Sequence, residues 1–251
     1  MGFRIPLFRR CSLEMTKMTD WAPVRLSAMH HRHLELGAVM AKSRGWQRPS
    51  RYGPVESEVE RIRSVVGLFD ISPSGKLAIQ GADIDSLFGS VFADVGPIEI
   101  GRLRVQLFGE VSDLQTVLML RLATDEALVL TEPDKVRSVY EALQSREDGC
   151  AHTVDITSAL AGVRVTGPSA PLLLASLTEL DVSPAGFSNM SCAQTRVAEI
   201  HGTLLRVDLA GELNYDLYVD RDLGEYIWET ALEAGEPLGV ALYGTEAMSR
   251  L

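Results

Sequence analysis

Two short stretches of the chain concentrate the side-chain types that recognise small molecules. The first, Gly45-Trp46-Gln47-Arg48-Pro49-Ser50-Arg51-Tyr52-Gly53, sets two aromatic rings and two guanidinium groups in an aperiodic run. Trp46 and Tyr52 can plug a core beneath a loop. Alternatively they can stack a flat ring while Arg48 or Arg51 receives a carboxylate through its planar fork of N–H donors. The second stretch, Asp208-Leu209-Ala210-Gly211-Glu212-Leu213-Asn214-Tyr215-Asp216, puts a carboxylate directly after a glycine, between two strand-like runs. It reads either as a surface turn or as a turn that aims Glu212 at the paired N–H donors of a ligand.

Other chemistry is poorly supported. His30, His31 and His33 lie close together, but only Glu35 accompanies them at ligand spacing, so a packing or solvated role is expected and no metal. The chain lacks GxxxxGK[ST], GxGxxG, HExxH and GxSxG, which removes the common nucleotide, zincin and α/β-hydrolase readings. Cys11, Cys150 and Cys192 are odd in number and form no CxxC, so neither a disulfide framework nor a cysteine zinc site is expected.

The composition sets wider bounds. The 251 residues carry a formal net charge of -10, so a nucleic-acid partner is not expected. No apolar run approaches the roughly 20 residues that span a bilayer, so neither is a membrane. A cytoplasmic location follows as the simple expectation. Residues 1–20 read as a tail or a start-site artefact, with Met15 and Met18 as alternative starts; an organelle presequence is the other reading.

These candidate residues need elements to hold them. Pro54 opens and Gly67 closes a segment with Val55, Val59, Ile62 and Val66 at helical spacing. An alternating strand through Leu77 and Ile79 reaches Gly81, and Asp83 caps a helix with Ile84, Leu87, Phe88 and Val91. The order repeats further on. Val163 and Val165 run into Gly167, and Pro168 starts a helix lined by Leu172, Leu173 and Leu177. Further strands are expected at Val117–Leu122, Ala127–Leu130 and Leu213–Val219, and helices at Lys135–Leu143 and Gly224–Ala234. A hairpin is expected around His201-Gly202. The fold class that follows is α+β, with two packed ferredoxin-like (βαββαβ) subdomains.

The ordered series of motifs resembles the T-protein (aminomethyltransferase) family of the glycine cleavage system. It begins with Leu36-Gly37-Ala38, Gly45-Trp46, Pro49 and Tyr52-Gly53, and continues with the acidic helix that leads to Leu68-Phe69-Asp70-Ile71-Ser72. Gly75-Lys76-Leu77, Gly167-Pro168, Ala210-Gly211-Glu212 and Tyr215-Asp216-Leu217-Tyr218 complete it. The variant Trp46-Gln47-Arg48-Pro49 is closest to the T-protein-like part of sarcosine oxidase and dimethylglycine dehydrogenase relatives.

The resemblance implies one subdomain inserted in the other: residues 21–73 plus 139–251 form the first, and residues 74–138 the second. It also implies a tetrahydrofolate site in which Glu212 accepts the pterin donors, with Trp46, Arg51 and Tyr52 as contributors, and one-carbon transfer from a small amine or methyl donor. Where the family carries a catalytic aspartate, this chain reads Gly109-Glu110-Val111-Ser112-Asp113-Leu114-Gln115-Thr116. Gln115 and Thr116 occupy the aspartate positions, and Asp113 is the only carboxylate close by. Glu132 replaces the family's Asn, and Leu209 its Tyr. The family also continues past Leu251 into a barrel domain. A folate-binding subunit that depends on a protein partner, inside an amine-oxidising or demethylating complex, is therefore the alternative to a complete catalyst.

Overall fold

A computed structural model of the chain describes residues 24–147 and 149–251. The expected tail and Cys11 lie outside the described residues. The chain first builds a small sheet from β1 (Arg25–Leu26), helix α1 (His30–Glu35), β2 (Val39–Ser43) and β3 (Trp46–Arg51), in the order β1-β3-β2. The aromatic–arginine stretch is thus a strand and not a loop. Pro49 hides it in the sequence, because a residue without an N–H argues against a central strand. The structure resolves the conflict: β1 pairs only with Trp46 and Gln47, and a register shift in β2 falls between Val39 and Met40, beside Pro49.

Helix α2 (Val55–Ser64) follows, then β4 (Gly67–Asp70). The Glu58 carboxylate, buried beneath α2, accepts hydrogen bonds from the backbone N–H groups of Tyr52, Gly53 and Gly244. The chain next forms β5 (Gly75–Gly81), α3 (Ile84–Val91), β6 (Leu103–Phe108), β7 (Gln115–Ala123), β8 (Glu126–Thr131), α4 (Val136–Gln144) and β9 (Ala151–Asp155). These strands make one sheet, β6-β7-β8-β5-β9, antiparallel throughout. The break expected at residue 138 falls inside α4, and the sheet takes chain as far as Asp155. The apolar face of α4 and the pairing of β9 with β5 together fix that later limit.

The remainder comprises β10 (Leu160–Thr166), α5 (Ala170–Ala175), β11 (Ser191–Val197), β12 (Ile200–Arg206), β13 (Asn214–Asp220), α6 (Gly224–Gly235), β14 (Ala241–Leu242) and α7 (Thr245–Met248). With β4 they form the sheet β11-β12-β13-β10-β4-β14. Helices α5 and α6 cover its outer face through Leu173, Leu174, Ile227 and Trp228, packed on Val163, Val165, Leu204 and Leu217. Leu172, expected on that packed face, points outward at 62% exposure. Helices α3 and α4 cover the outer face of the other sheet. The two inner faces meet through Phe69, Ile71, Leu205 and Tyr218 on one side and Leu103, Leu120, Leu128 and Leu130 on the other. The result is a four-layer α+β sandwich. None of its described helices is long and apolar enough to cross a membrane.

The expected hairpin is real but turns elsewhere. Val197 pairs with Ile200, so Ala198 and Glu199 form the two-residue turn, at φ 49° and 67°. Both occupy the left-handed region that Asn and Gly fill more cheaply. Gly202 instead lies in β12, where an added Cβ would stand 3.0 Å from the Tyr218 carbonyl oxygen and 2.9 Å from Leu217. Glu199→Gly should therefore raise unfolding stability by about 0.5–1 kcal/mol, and Gly202→Ala should lower it by roughly 1–3 kcal/mol. Urea unfolding of the two variants measures both signs.

Candidate functional site

Between the inner faces of the two large sheets lies a cavity of about 320 Å³, at the small end of the range of roughly 300–1,000 Å³ usual for ligand sites. One wall is Thr116 and Leu118 of β7 with Leu130 and Thr131 of β8. The other is Arg164 of β10 with Asp216 and Tyr218 of β13, and Leu209 lies at the rim. The polar wall follows from register. Arg164 stands opposite Phe69 on β4 and opposite Asp216 on β13, so the three share the inner face of the sheet.

Arg164 binds Asp216 in a bidentate pair, Nε to Oδ1 at 2.6 Å and Nη2 to Oδ2 at 2.7 Å. Burial opposes the Arg164 charge, but Asp216 holds its affinity for the proton above the ordinary arginine value. Asn214 donates to Asp216, Thr166 donates to Asn214, and Thr166 and Tyr243 share a hydrogen bond. Burial raises Tyr218, and the neighbouring Asp216 adds to the effect; burial likewise pushes Tyr243 up to about 12. Both phenols thus present neutral O–H groups near neutral pH.

Glu212 is not among the lining residues, but its turn begins at one of them. Ala210 and Gly211 turn at φ 51° and 90°, and Glu212 exchanges two backbone hydrogen bonds with Leu209, which lines the cavity. The other expected site residues are placed differently. Trp46 is 2% exposed and its indole lies near Arg25, away from the cavity. Arg51 is exposed and pairs with Glu246 at 3.6 Å. The Tyr52 hydroxyl meets His33 Nδ1 at 2.7 Å, and His33 Nε2 meets Asp70 Oδ2 at 2.9 Å. None of the three lines the cavity. Asp113 sits on an exposed loop, paired with Lys135, and is absent from the walls as well, whereas Thr116 and Glu132 belong to them. Arg164, Asp216 and Tyr218, by contrast, line the cavity without being candidate site residues in the sequence. Their signal was a charged residue at a face-to-face position in strands otherwise apolar on both sides.

A family model described as the GCVT N-terminal domain matches residues 29–251. The chain belongs to this family. The aminomethyltransferase of Streptomyces avermitilis is 30% identical over 238 residues, which cover 93% of this chain and 63% of that protein. Sarcosine oxidase subunit alpha of Rhizobium meliloti is 29% identical over 250 residues, covering 91% of this chain and 25% of that protein. The chain therefore spans less than two thirds of the length of these relatives. Among solved structures, the glycine cleavage system aminomethyltransferase T from Bartonella henselae matches with a TM-score of 0.77 at 20% identity, over 89% of this chain and 60% of that one. A chain of the heterotetrameric sarcosine oxidase from Corynebacterium sp. U-96 matches with a TM-score of 0.61 at 20% identity, over 86% of this chain and 97% of that one.

In this GCVT-domain chain the Tyr52–His33–Asp70 series joins α1, the residue that follows β3, and β4. His33 is fully buried, and its ring meets Trp228 edge to face at 4.9 Å. Both of its ring nitrogens are engaged, and among the described residues no group of His, Cys, Asp and Glu suited to a metal forms. Burial pushes the Asp70 carboxyl up, but hydrogen bonds from His33, Ser27 and Ser72 outweigh it and leave Asp70 below its ordinary value. A group depressed in the folded state adds stability above its unfolded pKa of about 3.9, and that stability is lost as pH falls through the lower folded value. Asp70→Asn should cost roughly 2–4 kcal/mol near neutrality and flatten the loss of stability below about pH 4. Urea midpoints between pH 6 and pH 3 test this, and equal pH slopes in both proteins would contradict it.

Proposed function

We propose that this chain binds tetrahydrofolate in the cavity between its two large sheets and serves transfer of a one-carbon unit, as an aminomethyltransferase-like protein. The observation that carries the reading is the position of Glu212. A turn with two left-handed residues holds it opposite Leu209, which lines a cavity between the two large sheets. A reduced pterin offers an amino group and a ring N–H side by side, and a single carboxylate accepts both. Family membership and relatives named aminomethyltransferase agree with that ligand. The cavity of about 320 Å³ has room for a bicyclic ring, and the tail of the molecule would extend beyond it.

A second reading has its own support. Asp113, the carboxylate expected to assist transfer, is bound to Lys135 on an exposed loop, and Gln115 points into the packing against Ser138. One-carbon transfer that lacks a well-placed orienting carboxylate loses about 10²-fold or more in rate. A protein partner that completes the site answers this shortfall, and a relative named as a subunit fits such an arrangement. On this reading the chain alone, given tetrahydrofolate and a methylamine or aminomethyl donor, turns over poorly.

Calorimetric titration with tetrahydrofolate tests the shared element of both readings. Glu212→Gln keeps the shape and removes the charge, and it should weaken binding by about 10- to 100-fold, the magnitude of one charged hydrogen bond. Absence of binding to the unaltered chain refutes the folate reading. Unchanged affinity in the variant removes Glu212 from the site.

A further inference from the structure

Among the described residues, most buried or half-buried cations have an acceptor. Arg121 donates to Asp85 and to two backbone carbonyls, and Arg206 forms a bidentate pair with Asp208. Lys76 Nζ donates to the Ser72, Ser74 and Thr157 carbonyls. Arg48 differs. Its Nε is fully buried with no acceptor, and Arg44, the nearby cation of the β2–β3 turn, is itself taken up by Glu132 and Asp134. A buried donor without a partner costs about 1–3 kcal/mol, so such a group calls for an explanation.

The location supplies one. The Arg48 guanidinium lies over the Phe69 ring at 5.3 Å, and Phe69 is the cross-strand neighbour of Arg164, which lines the cavity. Arg164 spends Nε and Nη2 on Asp216, while its Nη1 meets only the Met248 thioether at 3.8 Å, a weak acceptor. Burial lowers Arg48, and the charges of Arg44 and Arg164 add to that effect against the opposing pull of Asp70. Asp70 is a negative neighbour of Arg48, but its oxygens are taken by His33 and the Ser72 backbone, so Arg48 keeps N–H donors without an acceptor.

We propose that Arg48 and Arg164, both neighbours of Phe69, form a carboxylate-binding subsite beside the cavity that Arg164 lines. A planar oxyanion suits these donors, because each guanidinium can offer paired N–H groups in a fixed fork. The subsite rests on the folate reading for its biological ligand, which is either the glutamyl tail of the folate or the carboxylate of an amino-acid one-carbon donor. Glu212, in the turn that precedes β13, is four residues from Asp216, a span of at most about 14 Å of extended chain. A ligand whose ring is held at Glu212 can therefore present a distant carboxylate, or a second molecule, to the arginines.

The test compares the unaltered chain with Arg48→Met, which keeps an unbranched stem against Phe69 and loses the charge. The probes are tetrahydrofolate, 6-methyltetrahydropterin (the ring without a carboxylate), 4-aminobenzoylglutamate (the tail without the pterin) and N-methylglycine. Calorimetry should show the variant binding 6-methyltetrahydropterin as the unaltered chain does, which also certifies its fold. Binding of at least one carboxylate probe should fall about 10- to 100-fold. Loss confined to tetrahydrofolate and 4-aminobenzoylglutamate assigns the subsite to the folate tail, and loss confined to N-methylglycine assigns it to the donor. Equal affinity of both proteins for every carboxylate probe overturns the subsite, as does failure of the unaltered chain to bind any of them. If the chain binds 4-aminobenzoylglutamate or N-methylglycine through Arg48 but neither pterin, the subsite stands and the folate reading falls.

Discussion

The pairing of β4 with β10 is the constraint on which the other features depend. The chain leaves one sheet after Asp70, builds the whole of the other, and returns at Leu160 to lie antiparallel to the strand it left. Closing so long an excursion costs conformational entropy that local contacts must offset. Those contacts are visible at the crossing. Ile71 N–H donates to the Gly162 carbonyl, Gly162 N–H donates to the Ser72 hydroxyl, and the buried Lys76 ammonium ties the outgoing residues 72 and 74 to the returning Thr157. Burial holds Lys76 down at about 7, with Asp70 and Asp155 pulling the other way. Three carbonyl acceptors surround a group that has three N–H donors.

Register at that crossing determines the chemistry of the cavity. With Val163 opposite Asp70 and Arg164 opposite Phe69, Arg164 faces the second sheet, and Val163 and Val165 face the helices. A slip of one residue would exchange those faces, bury Arg164 beneath α6 and put valines in the cavity wall. The same alternation on β13 sends Tyr215, Leu217 and Val219 to the helices and Asn214, Asp216 and Tyr218 inward. A buried ion pair adds little net stability over apolar packing. Its presence here is better understood as a means of keeping polar groups at the meeting of two sheets that are otherwise sealed by Leu120, Leu128 and Leu130.

Much of this architecture was legible in the sequence, for identifiable reasons. The helices α2, α3, α4 and α6 carry apolar residues at helical spacing between recognisable boundary residues, and the paired Val163 and Val165 mark β10. Elements whose evidence is tertiary were harder. The strands β6 and β9 are sheet edges, and β3 contains a proline whose missing N–H is tolerated only because β1 is so short. Gly202 suggested a turn, yet its small size serves close packing against β13 while Ala198 and Glu199 bend the chain. For the site, motif reading led to the turn of Glu212, whose partner Leu209 lines the cavity, but it could not foresee that Tyr52 is bound to His33, or that Asp113 is bound to Lys135. Such partners are fixed by the fold and leave no trace in spacing. Arg164 and Asp216, 52 residues apart, are neighbours only through the register of β10 and β13.

The central claim is that the cavity between the two sheets is where this chain holds its ligand. Hydrogen–deuterium exchange with and without saturating tetrahydrofolate tests it most directly, because it reports where a ligand protects the backbone whatever the chemistry that follows. The account predicts slowed exchange at residues 116–118, 130–133 and 209–218, the segments that wall the cavity and its rim. Protection confined to the hollow beside α2 and Arg250, which lies outside the two inner faces, would contradict it.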